Sequence, residues 1–303
     1  MENEISPARM ANAICQDKEF LGQHVFLEGK KDLRLFKRFI AMEHARIHVT
    51  FGKYKMREAY KLLNERGFSR KVGIRDADFL RIPGNNKFQE DYGDSIFVTD
   101  GHDTEIMAID YGSLKNLLDL ACDEERVVSF EAKVQKDIKS FVYSMAQPLA
   151  MLRLANKRSN LGLSFKPERP DGKRLKIEKF ICTKTWKYLG NEPMINIVYE
   201  YSKNRGKEVS SRADILRALE LHANNQYPES EILNGHDVSY IIQMVMKNGL
   251  NCRKNLAEDA DSVEAFLSSY FDWLKFSKTK LHAKLMAWQQ NLQTPVFGPD
   301  APE

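Results

Sequence analysis

Apolar positions in the first 120 residues alternate between short unbroken runs and helical spacing. Residues 24–27 form an apolar run that predicts a strand, ending at Glu28-Gly29. Leu33, Leu35, Phe36, Phe39 and Ile40 then recur at helical spacing, with Asp32 as a candidate cap. Residues 46–51 predict a second strand broken at Gly52, and residues 56–66 a helix that Gly67 stops from the C′ position. A third strand over residues 71–74 runs into Arg75-Asp76-Ala77-Asp78, and a fourth over residues 95–99 runs into Asp100-Gly101-His102-Asp103. Ile106, Ile109, Leu114, Leu117 and Leu118 give the next helix its apolar positions, with a break near Gly112. Strands spaced by helices predict an α/β fold, a mostly parallel sheet flanked by helices. From about Glu131 the pattern changes. Residues 130–156 read as helix and 159–172 as loop, and LKIEKFI and INIVYEY are β-like. Further helices are expected near residues 212–224, 236–247 and 262–293, before a loose tail, TPVFGPDAPE. The predicted division is an α/β domain over residues 20–125 and a mainly helical, mixed α+β C-terminal region over 126–303.

Composition narrows the class. A hydrophobic content of 43% excludes a disordered chain. No window of roughly 18 apolar residues is present, so no membrane contact is expected, and the polar start lacks a secretory signal. Cys15, Cys122, Cys182 and Cys252 are scattered, with no zinc spacing and no sign of a disulfide framework, which suits a reducing cytoplasm. The formal net charge is only +4, yet residues 76–137 carry 15 acidic against 6 basic side chains, and residues 153–187 carry 11 basic against 3 acidic.

Ligands of open α/β sheets bind at the carboxyl ends of the strands. Glu28, Asp76/Asp78 and Asp100/Asp103 all fall at such ends. Carboxylates crowded at one edge cannot all ionise without a cation. Hard oxygen donors select Mg²⁺ or Mn²⁺, which can polarise a phosphodiester oxygen and activate water.

Glu28-Gly29-x-x-Asp32 followed by Arg75-Asp76-Ala77-Asp78 resembles the Toprim domain of topoisomerases, primases, RNA-maturation nucleases and OLD-type nucleases. VFLEGKKD, the DAD turn, TDGHDTE and a later NGHDVSYII look like the DUF4435 branch, and within it the nuclease subunits of PARIS-type anti-phage systems. The resemblance implies a Toprim-like fold with Glu28 as general acid/base and Asp76 and Asp78 as metal ligands. Asp32 matches the acid often found in the same turn, or else caps a helix. It further implies a magnesium-dependent endonuclease that cleaves nucleic acid, host tRNA foremost. A partner ATPase holds such a subunit until a phage trigger, and a homodimer is the expected active form. The family leaves Asp100, His102, Asp103 and Glu105 open: a second metal site or phosphate orientation, or the capped start of a helix.

The basic stretch interleaves Phe165, Phe180, Trp186 and Tyr188 among cations including Lys173, Arg174 and Lys176, a pattern suited to phosphate contact and base stacking, or else a solvated face over core aromatics. Lys30 and Lys31 stand beside Glu28 as further phosphate contacts or as solvated helix-start residues. Asn234-Gly235-His236-Asp237 reads as an N-capped helix start. Two rivals are weighed. A haloacid-dehalogenase-type phosphatase shares Asp-x-Asp after a strand but does not explain Glu28-Gly29, and Arg75 interrupts its strand pattern. A non-catalytic Toprim-derived binding subunit does not require three carboxylates at one edge.

Overall fold

The computed structural model describes residues 6–84, 95–167, 172–205, 208–223, 225–252, 256 and 258–299. In chain order these form α1 (Pro7–Gln16), β1 (Gln23–Leu27), α2 (Lys30–Phe36), β2 (Ala45–Val49), α3 (Lys53–Glu65), β3 (Lys71–Arg75), β4 (Ile96–Val98) and α4 (Thr104–Asp110). There follow α5 (Ser113–Ala121), α6 (Glu124–Val134), α7 (Ile138–Ser159), β5 (Ile181–Cys182), β6 (Lys187–Tyr188), α8 (Asn191–Lys203), α9 (Arg212–Ala223) and α10 (Glu229–Ile232). Last come α11 (Gly235–Met244), α12 (Ala260–Ser269), α13 (Trp273–Phe276) and α14 (Lys280–Gln289). The chain is α/β. It divides into two compact units, one of Met1–Ser113 with Ser268–Glu303, the other of Leu114–Leu267. The sequence division at 125/126 differs in two ways: the first bound falls at 113/114, and the chain from residue 268 returns to the first unit.

The first unit is built on a four-stranded sheet in the order β2-β1-β3-β4, every pair parallel. Successive side chains of β1 face opposite ways. Val25 and Leu27 enter a core with Leu35, Phe36, Phe39 and Ile40, closed by Phe271, Phe276, Leu281 and Leu285 from the C-terminal segment. Phe26 faces a second core made by Ala11 and Ile14 of α1 and Met56, Tyr60 and Leu63 of α3. Helices therefore cover both sheet faces, as parallel strands with unbroken apolar runs demand. Gly67 stops α3 at φ 67° and Gly112 separates α4 from α5 at φ 98°, conformations glycine adopts without a Cβ clash.

The second unit is mainly helical around α7, which packs against α9 and α11. Phe130, Phe141 and Trp186 pack edge to face within it. Asp237 of α11 forms a part-buried bidentate pair with Arg153 of α7 at 2.6 and 2.8 Å.

Four local expectations are corrected. INIVYEY is part of α8, not a strand: its buried positions Met194, Ile195, Val198 and Ser202 follow the helical period, and Pro193 sits in the first turn, where its missing N–H costs nothing. Residues 262–293 form α12, α13 and α14 rather than one helix, because Asp272 and Thr279 each accept a backbone N–H and start a new helix. The tail is anchored at residues 296–298. Val296 and Phe297 are buried, Gln289 bonds both of their backbones, and Phe297 bridges Ile40; residues 300–303 lie outside the described part. Cys122 and Cys252 pair as a disulfide across 130 residues, so only Cys15 and Cys182 are free thiols. Among the described residues, no helix is long and apolar enough to cross a membrane.

Candidate functional site

Strand order changes direction between β1 and β3, whose chain neighbours lie on opposite sides, and such a switch point opens a crevice at the carboxyl ends of the strands. Glu28 follows β1 and Asp76 follows β3, so both reach this crevice. Asp32 joins them from the first turn of α2. Gly29, not Asp32, is the N-cap, and Asp32 reaches back so that Oδ2 accepts the Gly29 N–H at 2.8 Å. From the β4 end, Asp103 caps α4 by accepting the Ile106 N–H at 3.0 Å. The next N–H of that turn, on Thr104, donates to Asp76 Oδ1 at 3.1 Å. Glu105 is buried beside Thr104, whose hydroxyl donates to Oε2 at 3.3 Å.

Burial raises each carboxyl of this group, and mutual repulsion adds to it. Burial raises the Asp32 carboxyl to about 7, with Glu105 and Glu28 adding to the shift. Asp76 is pushed well above the usual carboxylate range by burial and by Asp32, Asp103, Glu28 and Glu105. Glu28 is raised by burial and then by Asp78, partly offset by Lys53 and Arg75. Its Oε2 is buried with no hydrogen-bond partner, a costly state for a carboxylate oxygen. The donor type suits a hard divalent cation, with oxygen ligands, an orphaned oxygen on Glu28 and a field that a positive charge would relieve, although Glu28, Asp32 and Asp76 do not bring one oxygen each within 4.8 Å of the others.

Asp78 departs from the expected set. It adopts φ 48°, a left-handed conformation that Asp tolerates better than most residues, and its N–H donates to the His102 carbonyl at 2.6 Å. The carboxylate goes to Lys53, with Nζ 2.5 Å from Oδ2. Burial alone would raise Asp78; the charge and hydrogen bond of Lys53 outweigh it and hold the group below its ordinary value. Glu28, Asp76 and Asp78 accordingly do not gather their ligand oxygens within 4.8 Å of one another.

The TDGHDTE segment splits three ways. Asp103 and Glu105 adjoin the carboxylate cluster, and His102 is buried with its ring edge-on to Phe79. Asp100 serves α14: it accepts the Lys280 and Leu281 N–H groups, both at 2.7 Å, and the Tyr111 hydroxyl at 2.6 Å. Lys30 and Lys31 are exposed on the first turn of α2. In the basic stretch, Lys173 and Lys176 are exposed and Arg174 pairs with Asp261. Phe180 and Trp186 are only 1% and 5% exposed, so two of the four aromatics belong to the core and cannot stack on bases.

Lys53 was not singled out from the sequence, and Thr104 only as a residue that, like Asp103, could start the next helix. Lys53 had a readable signal, since it follows the Gly52 break at the carboxyl end of β2, next to β1. Thr104 contributes a backbone N–H, which leaves no mark on residue type.

Fold and site define an α/β protein with a carboxylate cluster at the switch point of a four-stranded parallel sheet. No family model matches the chain, and no curated protein matches it.

Proposed function

We propose that this chain is a Toprim-like, divalent-metal-dependent nuclease of a bacterial anti-phage system, with host tRNA as its leading substrate. The observation that carries the reading is the cluster of buried Asp32 with half-buried Glu28 and Asp76 at the β1/β3 crevice, with Glu28 Oε2 unpartnered. Glu28, Asp32, Asp76 and Asp78 are the residues that would hold Mg²⁺ or Mn²⁺. When bound, the ion neutralises charge on the scissile phosphate and acidifies water. Glu28, raised by its burial, is suited to carry a proton between the attacking or leaving oxygen and solvent. Lys30 and Lys31, exposed beside it, supply cations for the phosphate backbone, and Lys173 and Lys176 a second basic surface. The reading places the chain in the cytoplasm, where the Cys122–Cys252 bond would have to persist against a reducing poise, with a partner ATPase restraining it until a phage trigger and a homodimer as the active form.

The test is induction of wild type and Glu28→Ala in cells lacking the partner ATPase, with total RNA and DNA examined. Discrete RNA fragments in wild type alone are expected; equal, undamaged nucleic acid in both would sink the nuclease reading. Mn²⁺ binding without cleavage would favour a non-catalytic binding subunit, and hydrolysis of small phosphate esters a phosphatase.

A further inference from the structure

Lys53 starts α3, yet its side chain serves the end of β3. Two residues before it have positive φ, Phe51 at 54° and Gly52 at 123°. The turn they make is tied to the end of β1, where Thr50 N–H donates to the Leu27 carbonyl at 2.9 Å and Gly52 N–H to the Glu28 carbonyl at 3.0 Å. The Lys53 backbone N–H thereby falls against the Glu28 carboxylate. Its ammonium crosses β1 to reach Asp78 on the far side, since β1 lies between β2 and β3. Asp78 is fixed to meet it by its left-handed φ and the bond to His102. Lysine and aspartate are each about one-third exposed, so solvent screens the contact only in part. Arg75 adds positive field at the same two carboxylates.

One half of the Asp-x-Asp pair is thus held by a cation that the chain itself supplies, while Asp76 faces the carboxylates of Asp32, Asp103, Glu28 and Glu105. An ammonium hydrogen-bonded to Asp78 Oδ2 and a divalent ion ligated by the same carboxylate draw on one negative charge, and their own charges repel.

We infer that Lys53 is a built-in competitor for the metal: it occupies Asp78 in the absence of a divalent ion, yields that carboxylate when the ion binds, and so sets the metal affinity of the site. The inference rests on the metal-dependent reading above. Lys53 is a positioning residue in this scheme, acting through Asp78.

Mn²⁺ alone, titrated into the full-length protein and followed by electron paramagnetic resonance, tests it. Lys53→Met keeps the side-chain length and removes the charge; it should bind Mn²⁺ about tenfold more tightly, the scale of one partly screened charge contact. Lys53→Arg should stay near wild type, and Asp78→Asn should bind more weakly and lose the response to Lys53→Met. Circular dichroism checks each fold, and Lys53→Gln takes the place of a Lys53→Met protein that fails to fold. Equal or weaker Mn²⁺ binding by the uncharged Lys53 variants, with wild type still binding, overturns the role of Lys53 alone. Absence of Mn²⁺ binding in wild type and every variant overturns the metal reading itself.

Discussion

Asp32 carries a structural and an electrostatic duty in one side chain. It closes the first turn of α2 by accepting the Gly29 N–H, yet it sits among Glu105, Glu28 and Asp76. Its folded-state value near 7 exceeds the ordinary 3.8, so the native state holds a proton that the unfolded chain releases. Stability from this group is complete below pH 4 and declines as pH rises toward 7. In EDTA at pH 8, Asp32→Asn should therefore melt about 2–4 °C above wild type, with the gap closing near pH 4. Calorimetry with added Mn²⁺ should show the gap shrink or reverse. The opposite sign applies to His24 and His48, whose rings stack and whose Nδ1 and Nε2 lie 2.8 Å apart. Burial, aided by Arg70 at His24 and by His24 and Arg46 at His48, lowers both to about 4. The unfolded chain takes up protons near 6.5 that the native state refuses, so their stability is present above 6.5 and lost as pH falls toward 4. Urea unfolding at pH 7 and 4.5 should show a smaller loss in His48→Leu than in wild type.

Helix starts decide what each acidic residue does. Asp103 caps α4, while Asp100, three residues earlier, holds the first turn of α14, 180 residues further along the chain. Removing the acceptor of two helix N–H groups costs about 1–2 kcal/mol. Asp100→Ala should lower the unfolding free energy by that amount and leave Mn²⁺ affinity unchanged; weakened Mn²⁺ binding in a folded protein would return Asp100 to the metal site. The same principle explains the misread α8. INIVYEY alternates well enough to pass for a strand, and short apolar runs do not separate the two periods. Packing on one face of α8 settled the matter.

At the scale of the whole molecule, the Cys122–Cys252 disulfide joins residues 130 apart in sequence and lies within the helical unit. By the chain-entropy argument a loop above 100 residues contributes about 3–5 kcal/mol. Cys122→Ser, or reduction, should lower the chemical-unfolding midpoint accordingly, and equal midpoints with and without reductant would show the bond adds nothing. Sequence alone determined the strand-helix alternation, the ends of all four sheet strands to within two residues, and the acids at their carboxyl edge, because hydrophobic period and breakers such as Gly52 and Gly67 are local. Only tertiary structure decided which acids share one field. That depends on the order β2-β1-β3-β4, on Lys53 reaching over β1 to draw Asp78 aside, and on α14 returning to claim Asp100. Each of these joins segments far apart in sequence, and pairings at that range are set by packing, on which local periodicity is silent.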